Sequence, residues 1–193
     1  MKLGGRFLTE VDLKDAGFRK LGKNVQIHER ASIYCTENIS IGDNVRIGDF
    51  NMIIATGPVD IGSHVSITNF CYLGGKYGIT LSDFTGLGMG VKILSASDDY
   101  TGEMLTNETN PPEFRGGTSG KVTIGKHVQI GAGSVILPGC NIGEGTCVGA
   151  MSLVTRSLEP WAIFAGVPVR WVKARKKDLL LLEQQLIARE KGC

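Results

Sequence analysis

From Ile124 onward an aliphatic residue recurs at every sixth position: Ile124, Ile130, Ile136, Ile142, Val148 and Val154. Four residues after each of the first five anchors stands a small or β-branched residue, namely Val128, Ser134, Cys140, Thr146 and Ser152. Glycine follows the anchor directly at Gly125, Gly131, Gly143 and Gly149. A six-residue period cannot keep to one face of an α-helix with about 3.6 residues per turn, and glycine at this density would cost about 1 kcal/mol apiece there. A coil of short parallel strands accommodates both features. The 27 glycines of this 193-residue chain therefore have a periodic explanation, not a linker one.

The N-terminal half carries the same unit under a second period. Leu21, Ile41, Ile61 and Leu81 open LGKNV, IGDNV, IGSHV and LSDFT at intervals of 20 residues. Each turn is then three hexads plus a pair, the pair being Ile39-Ser40, Val59-Asp60, Ile79-Thr80 and Val122-Thr123. Three flat sides per turn predict a triangular prism with anchors and small residues inside and successive turns about 4.8 Å apart. The expectation is an all-β parallel β-helix of about five to six turns over residues 21–159, as a single domain.

The period fails once. The hexad opening at Ile93 ends at Asp98, and the pair due next arrives only at Val122-Thr123, so residues 99–121 are expected to leave the prism as an inserted loop. Long aperiodic insertions in compact domains are usually functional or disordered. Tyr100, Met104, Leu105 and Phe114 in it favour packing, most simply on a neighbouring subunit. An open β-helix end is an exposed sheet edge and needs covering. Residues 1–20 are expected to form an N-terminal cap with a short helix entered at Thr9, and residues 160–193 a tail with an amphipathic helix. Leu179, Leu182, Leu186 and Ile187 form that helix's predicted apolar face.

Composition narrows the class. A net charge of +2 with no basic block interleaved with aromatics speaks against nucleic-acid binding. Five cysteines, Cys35, Cys71, Cys140, Cys147 and Cys193, contain no CxxC pair and fit a reducing compartment better than a disulfide framework. No apolar run reaches 18 residues, so a cytoplasmic protein without a membrane span is expected. His28, His64 and His127 lack the spacing of a zinc site, and no metal is expected.

Two segments carry a more specific likeness: residues 122–158, VTIGKHVQIGAGSVILPGCNIGEGTCVGAMSLVTRSL, and residues 164–175, FAGVPVRWVKAR. The chain resembles the hexapeptide-repeat acyltransferases, in particular the maltose, galactoside and xenobiotic acetyltransferases, whose closing signature A-G-x-P-A-[KR]-x-[IV] the second segment is similar to. The resemblance implies a left-handed coil, a homotrimer with active sites between adjacent prisms, and acetyl-CoA as acyl donor along the C-terminal turns. For that donor it implies a wall of small residues, Gly131, Ala132, Gly149 and Ala150, and for its phosphates Thr155, Arg156, Arg170, Lys173, Arg175 and Lys176.

In the family a histidine in a segment like I-x-T-A-T-H-P is the general base. Here the matching residues are Ile93-Leu94-Ser95-Ala96-Ser97-Asp98-Asp99, with Asp98 in the histidine's place. An ordinary carboxylate, with a pKa near 3.9 against about 6.5 for imidazole, surrenders driving force as a base. Three solutions stay open. Asp98 or Asp99 is the base, aided by burial between subunits. Alternatively the acceptor is an amine that needs little base. In the third solution His64 or His127, stacked in one column two turns apart, has taken over. Asn69 lies near the family asparagine that touches the acceptor, and Tyr100 and Glu103 suit a polar one. The implied acceptor is a hydroxyl or amine of a sugar or nucleotide-sugar, and SDDY is similar to acetyltransferases of surface-polysaccharide pathways. The rival from another class is a non-catalytic β-helix scaffold, favoured by the missing histidine and opposed by the long insertion.

Overall fold

The computed structural model describes residues 4–192. The chain coils into a parallel β-helix of triangular cross-section, built from three walls of short strands. The first wall stacks Lys20–Leu21, Ile39–Ile41, Val59–Ile61, Ile79–Leu81, Val122–Ile124 and Asn141–Ile142. The second stacks Gln26–Ile27, Arg46–Ile47, Ser66–Ile67, Gly86–Leu87, Gln129–Ile130 and Cys147–Val148, with Ala162–Gly166 as a seventh parallel rung. The third runs from Ser32–Tyr34 through Met52–Ile54, Tyr72–Gly74, Lys92–Leu94 and Val135–Ile136 to Leu153–Val154. The coil thus closes six turns and begins a seventh, slightly more than the five to six expected, because residues 162–166 continue it where the hexad pattern has faded.

Register follows the periodicity residue for residue. Leu21 stacks on Ile41, Ile41 on Ile61, Ile61 on Leu81, Leu81 on Ile124 and Ile124 on Ile142. The anchors are fully inside: Ile47, Ile53, Ile67, Leu73, Ile93, Ile130 and Ile136 show no exposed surface. Burial of each such side chain stabilises by about 1.5–3 kcal/mol. Between anchors the small positions turn their hydroxyls back to the coil, as where Ser134 Oγ donates to Gly149 O at 2.9 Å and Thr146 Oγ1 to Glu159 O at 2.6 Å.

Sharp corners come from residues in the left-handed region. One corner column holds Asn44, His64, Phe84 and His127 at φ between 57° and 60°. The column spacing predicted for the histidines is met. The Phe84 ring stacks on His64 at 4.6 Å and on His127 at 5.0 Å.

Both ends are capped. Helix α1, Glu10–Asp15, is entered at Thr9 through reciprocal bonds, with Asp12 N–H donating to Thr9 Oγ1 and Thr9 N–H to Asp12 Oδ2. At the other end, residues 162–166 pair antiparallel with Val169–Ala174 across a cis Val167-Pro168 peptide, and helix α2, Leu179–Lys191, follows. Within one chain the predicted leucine face of helix α2 is covered only in part: Leu179 and Ile187 are half-buried and Leu182 is 64 % exposed, whereas the Glu183 side chain is only 9 % exposed. Glu183 and Glu190 contact the histidine column and Lys126 from this helix. No described helix is long and apolar enough to cross a membrane.

The insertion leaves the prism earlier than expected. Ser95 is still part of the coil, its N–H and Oγ both donating to Gly74 O, but Ala96–Asp98 turns outward and pairs antiparallel with Gly117–Ser119. Asp98 therefore sits on a two-stranded ribbon, opposite Gly117, not on a wall.

Candidate active site

The ribbon, the loop it supports and the third wall enclose a groove of about 850 Å³. Its floor is Ile54, Tyr72, Gly74 and Leu94 from the wall, and Lys76 and Tyr77 stand at the corner beneath the insertion. The loop side supplies Ser97, Asp98, Asn107, Glu108, Arg115 and Thr118. A backbone bridge between Leu105 and Arg115 and a 3-10 turn over Pro112–Phe114 hold that side in place.

The two adjacent aspartates, expected as alternatives for one role, have different surroundings. Asp99 closes the loop on itself. Its carboxylate accepts from Thr101 N–H at 3.0 Å, Thr101 Oγ1 at 2.7 Å, Gly102 N–H at 3.0 Å and Met104 N–H at 3.1 Å. These donors, with the Thr101 backbone foremost, hold its carboxyl down at about 2, which makes it a weaker proton acceptor than an ordinary carboxylate. Asp98 has no hydrogen bond or ion pair from its carboxylate among the described residues, is exposed, and lines the groove.

His64 and His127 are engaged elsewhere. His64 Nε2 lies 3.5 Å from Glu190 and His127 Nε2 lies 2.7 Å from Glu183, both carboxylates belonging to helix α2. Lys126 also pairs with Glu183. Neither imidazole lines the groove, so the histidine column anchors the C-terminal helix.

Asn69 faces a different depression, of about 300 Å³, with Arg46, Ser66, Thr68 and Met89, and its Oδ1 accepts from Asp49 N–H at 3.2 Å. Tyr100, at 91 % exposure, and Glu103 are on the loop but do not line the groove. Within one chain, then, Asp98 is the only predicted catalytic or acceptor residue that the groove brings in. Arg115, Lys76, Tyr72 and Tyr77 escaped the sequence analysis. The signal was there in part: a lone arginine in an aperiodic insertion, and three outward positions on the turn directly below it.

The expected donor wall is a continuous corner. Gly131 and Ala132 stack under Gly149 and Ala150, and a Cβ on Gly131 would lie 2.3 Å from Ala150 N. The glycine is there first for close stacking of turns. Thr155 and Arg156 are exposed just past the last anchor, and Arg170 and Lys173 are exposed on the closing strand opposite Ala165 and Ile163. Arg175 is spent structurally: its Nη1 donates to His127 O at 2.7 Å and Gly145 O at 3.0 Å, so its guanidinium pins the tail to the prism.

Residues 121–156 match the family described as bacterial transferase hexapeptide (six repeats). Over 178 residues the chain is 40 % identical to the dTDP-4-amino-4,6-dideoxy-D-glucose acyltransferase of Escherichia coli, covering 92 % of this chain and 93 % of that protein. The chain belongs to the hexapeptide-repeat acyltransferases. Their left-handed parallel β-helix is the fold described above, and their activity, CoA-dependent acyl transfer, is the activity of this chain. Among solved structures it is similar to AntD, an N-acyltransferase from Bacillus cereus, in complex with dTDP and 3-hydroxybutyryl-CoA, at 42 % identity over 97 % of this chain and 100 % of that one, with a TM-score of 0.94. A form of AntD with an aspartate changed to asparagine, bound to dTDP and coenzyme A, is 43 % identical over 95 % of this chain and 99 % of that one, with a TM-score of 0.92.

Proposed function

We propose that this family member transfers an acyl group from acyl-CoA to the amine of a nucleotide-linked amino sugar, of the dTDP-4-amino-4,6-dideoxyhexose class, with Asp98 as general base. The observation that carries this is the Asp98 carboxylate, unpartnered on the ribbon and lining a groove large enough for a nucleotide sugar. Support for the acceptor comes from full-length similarity to an E. coli enzyme named for such a sugar and to AntD bound to dTDP and an acyl-CoA. The open choice between hydroxyl and amine is resolved in favour of the amine, because a carboxylate is a weak base for an alcohol but adequate for nitrogen. The neutral amine adds its lone pair to the thioester carbonyl, and the nitrogen of the adduct is then strongly acidic. Its proton passes to Asp98, the C–S bond breaks and CoA leaves as thiolate.

The donor is assigned to the corner at Gly131, Ala132, Gly149 and Ala150, with Thr155, Arg156, Arg170 and Lys173 toward its phosphates. Arg156, Arg170 and Lys173 are exposed and have no ion pair among the described residues, which leaves them available to an anion. The working unit is a homotrimer. Outward Tyr34 and Met52 on the third wall, with Phe70 and Met89 at the adjoining corner, are 40–55 % exposed, an apolar patch suited to a neighbouring prism. The four free cysteines among the described residues fit a reducing, cytoplasmic setting.

Thiol release from acetyl-CoA and from 3-hydroxybutyryl-CoA, with dTDP-4-amino-4,6-dideoxyglucose as acceptor and the amide product identified by mass spectrometry, tests the assignment. Turnover with this acceptor is the expected result. Turnover confined to hydroxyl acceptors, or no binding of acyl-CoA at all, would overturn it.

A further inference from the structure

The groove beside Asp98 contains a cation that the protein leaves unused. Arg115 lines it, and its Nε is buried with no hydrogen-bond partner. No hydrogen bond or ion pair from its guanidinium occurs among the described residues, although a buried donor without a partner is costly and rare in a native fold. The backbone that carries it is held within the loop, where Arg115 N–H donates to Pro112 O at 3.1 Å and Arg115 bridges to Leu105. A second cation, Lys76, lines the same groove from the wall side, just after Tyr72–Gly74, with no carboxylate in ion-pair range among the described residues and with its Nζ 5.6 Å above the Tyr77 ring. The groove's acids are Asp98 and Glu108, neither of them paired with Arg115 or Lys76.

We propose that Arg115 and Lys76 grip the diphosphate of the nucleotide-linked acceptor from the two sides of this groove, delivering its amino sugar to Asp98. The inference rests on the acceptor assigned above and adds the residues that select it. A planar guanidinium with free N–H groups is matched to phosphate oxygens, and an ammonium supplies a second point charge. The exposed ring of Tyr77 beside Lys76 gives the base a flat surface. The inserted loop thus has a purpose that the coil alone could not serve: it carries the base on its ribbon and an anion ligand on the loop that the ribbon supports.

Titration calorimetry with dTDP and separately with acyl-CoA, on the full chain and on Arg115→Met and Lys76→Met, tests this. Loss of a charge-assisted phosphate contact should weaken dTDP by about 10- to 100-fold in each variant, while acyl-CoA affinity shifts by less than about threefold, which also reports an intact fold. Arg115→Lys should recover part of the loss and raise KM for the nucleotide sugar more than it lowers kcat. Unchanged dTDP affinity in both methionine variants would overturn the inference and leave the acyltransferase assignment standing. Wild-type turnover of the free amino sugar as efficient as that of its dTDP conjugate would do the same. Failure of the wild type to acylate either would remove the acceptor assignment itself, and the inference with it.

Discussion

Glu183 Oε2 lies 2.7 Å from His127 Nε2, and two helical turns later Glu190 lies 3.5 Å from His64 Nε2. Two turns of α-helix advance about 11 Å, and two rungs of a β-coil about 10 Å. The two periods nearly coincide, so one face of helix α2 can meet alternate residues of a corner column. The intervening rung is Phe84, which stacks on both histidines and needs no partner from the helix.

That clip has a pH signature. Lys126 first, and His127 with it, holds the Glu183 carboxyl below its ordinary 4.5. A depressed carboxyl contributes stability above its unfolded value and loses it as the pH falls through the folded one. Glu183→Gln is expected to cost about 1–3 kcal/mol at pH 7, as a charged hydrogen bond in a largely covered site does. The gap to wild type should close as the pH drops below 4.5. Thermal melts of both proteins across pH 3–8 measure it, and a gap independent of pH would count against the ion pair.

Asp98 and Asp99 separate by variant. Asp98→Asn removes the proposed base and should lower kcat by about 10²- to 10⁴-fold with acyl-CoA affinity retained. Asp99→Asn weakens the acceptors of four loop hydrogen bonds and should raise the acceptor KM more than it lowers kcat. Steady-state kinetics on the two variants decide the assignment, which fails if Asp99→Asn is the one that abolishes turnover. With its carboxyl held at about 2, Asp99 should keep the loop closed through the acid range and release it only as the pH falls toward that value.

The coil was legible because burial and stacking impose one residue type on every sixth position, and the register pairs Leu81 with Ile124 straight across the insertion. The seventh rung, Ala162–Gly166, was not, since its anchor Phe164 breaks the aliphatic pattern. Asp98, which lines the groove, stands out in the sequence by its place in a motif similar to the family's. Arg115 does not, because what singles it out is the lack of a partner in three dimensions, and no spacing encodes that. The polar contacts of α2 were not legible for a related reason. Hydrophobic periodicity picks out Leu182, but it is silent on the hydrogen bond between Glu183 and His127, a contact between residues far apart in the chain.

Thiol chemistry offers an independent check on the interior. Cys71 and Cys140 point into the coil, and burial pushes both thiols up from their ordinary value. Alkylation with iodoacetamide at pH 8 should leave these two unlabelled in the native protein and modify them in denaturant, as peptide mapping would show. Rapid native labelling of either would mean that the coil opens far more readily than its buried anchors allow. The outcome also bears on assays, because protected thiols contribute no background to measurements of CoA release.

The corner at Gly131 carries two demands that one substitution can tell apart. A Cβ there would meet Ala150 N at 2.3 Å and the Gly149 carbonyl carbon at 2.6 Å, both backbone atoms that cannot swing aside. Gly131→Ala must therefore spread two adjacent turns, at an expected cost of about 1–3 kcal/mol from overpacking. Ala132→Ser, one residue further on and exposed, adds only a hydroxyl to the outer surface. If the corner serves stacking alone, Gly131→Ala lowers the melting temperature and Ala132→Ser changes neither stability nor acyl-CoA affinity. If the acyl donor lies along it as assigned, Ala132→Ser weakens acyl-CoA binding at an unchanged melting temperature, while Gly131→Ala impairs both. Melting curves and calorimetry on the two variants separate these outcomes, and the second is expected.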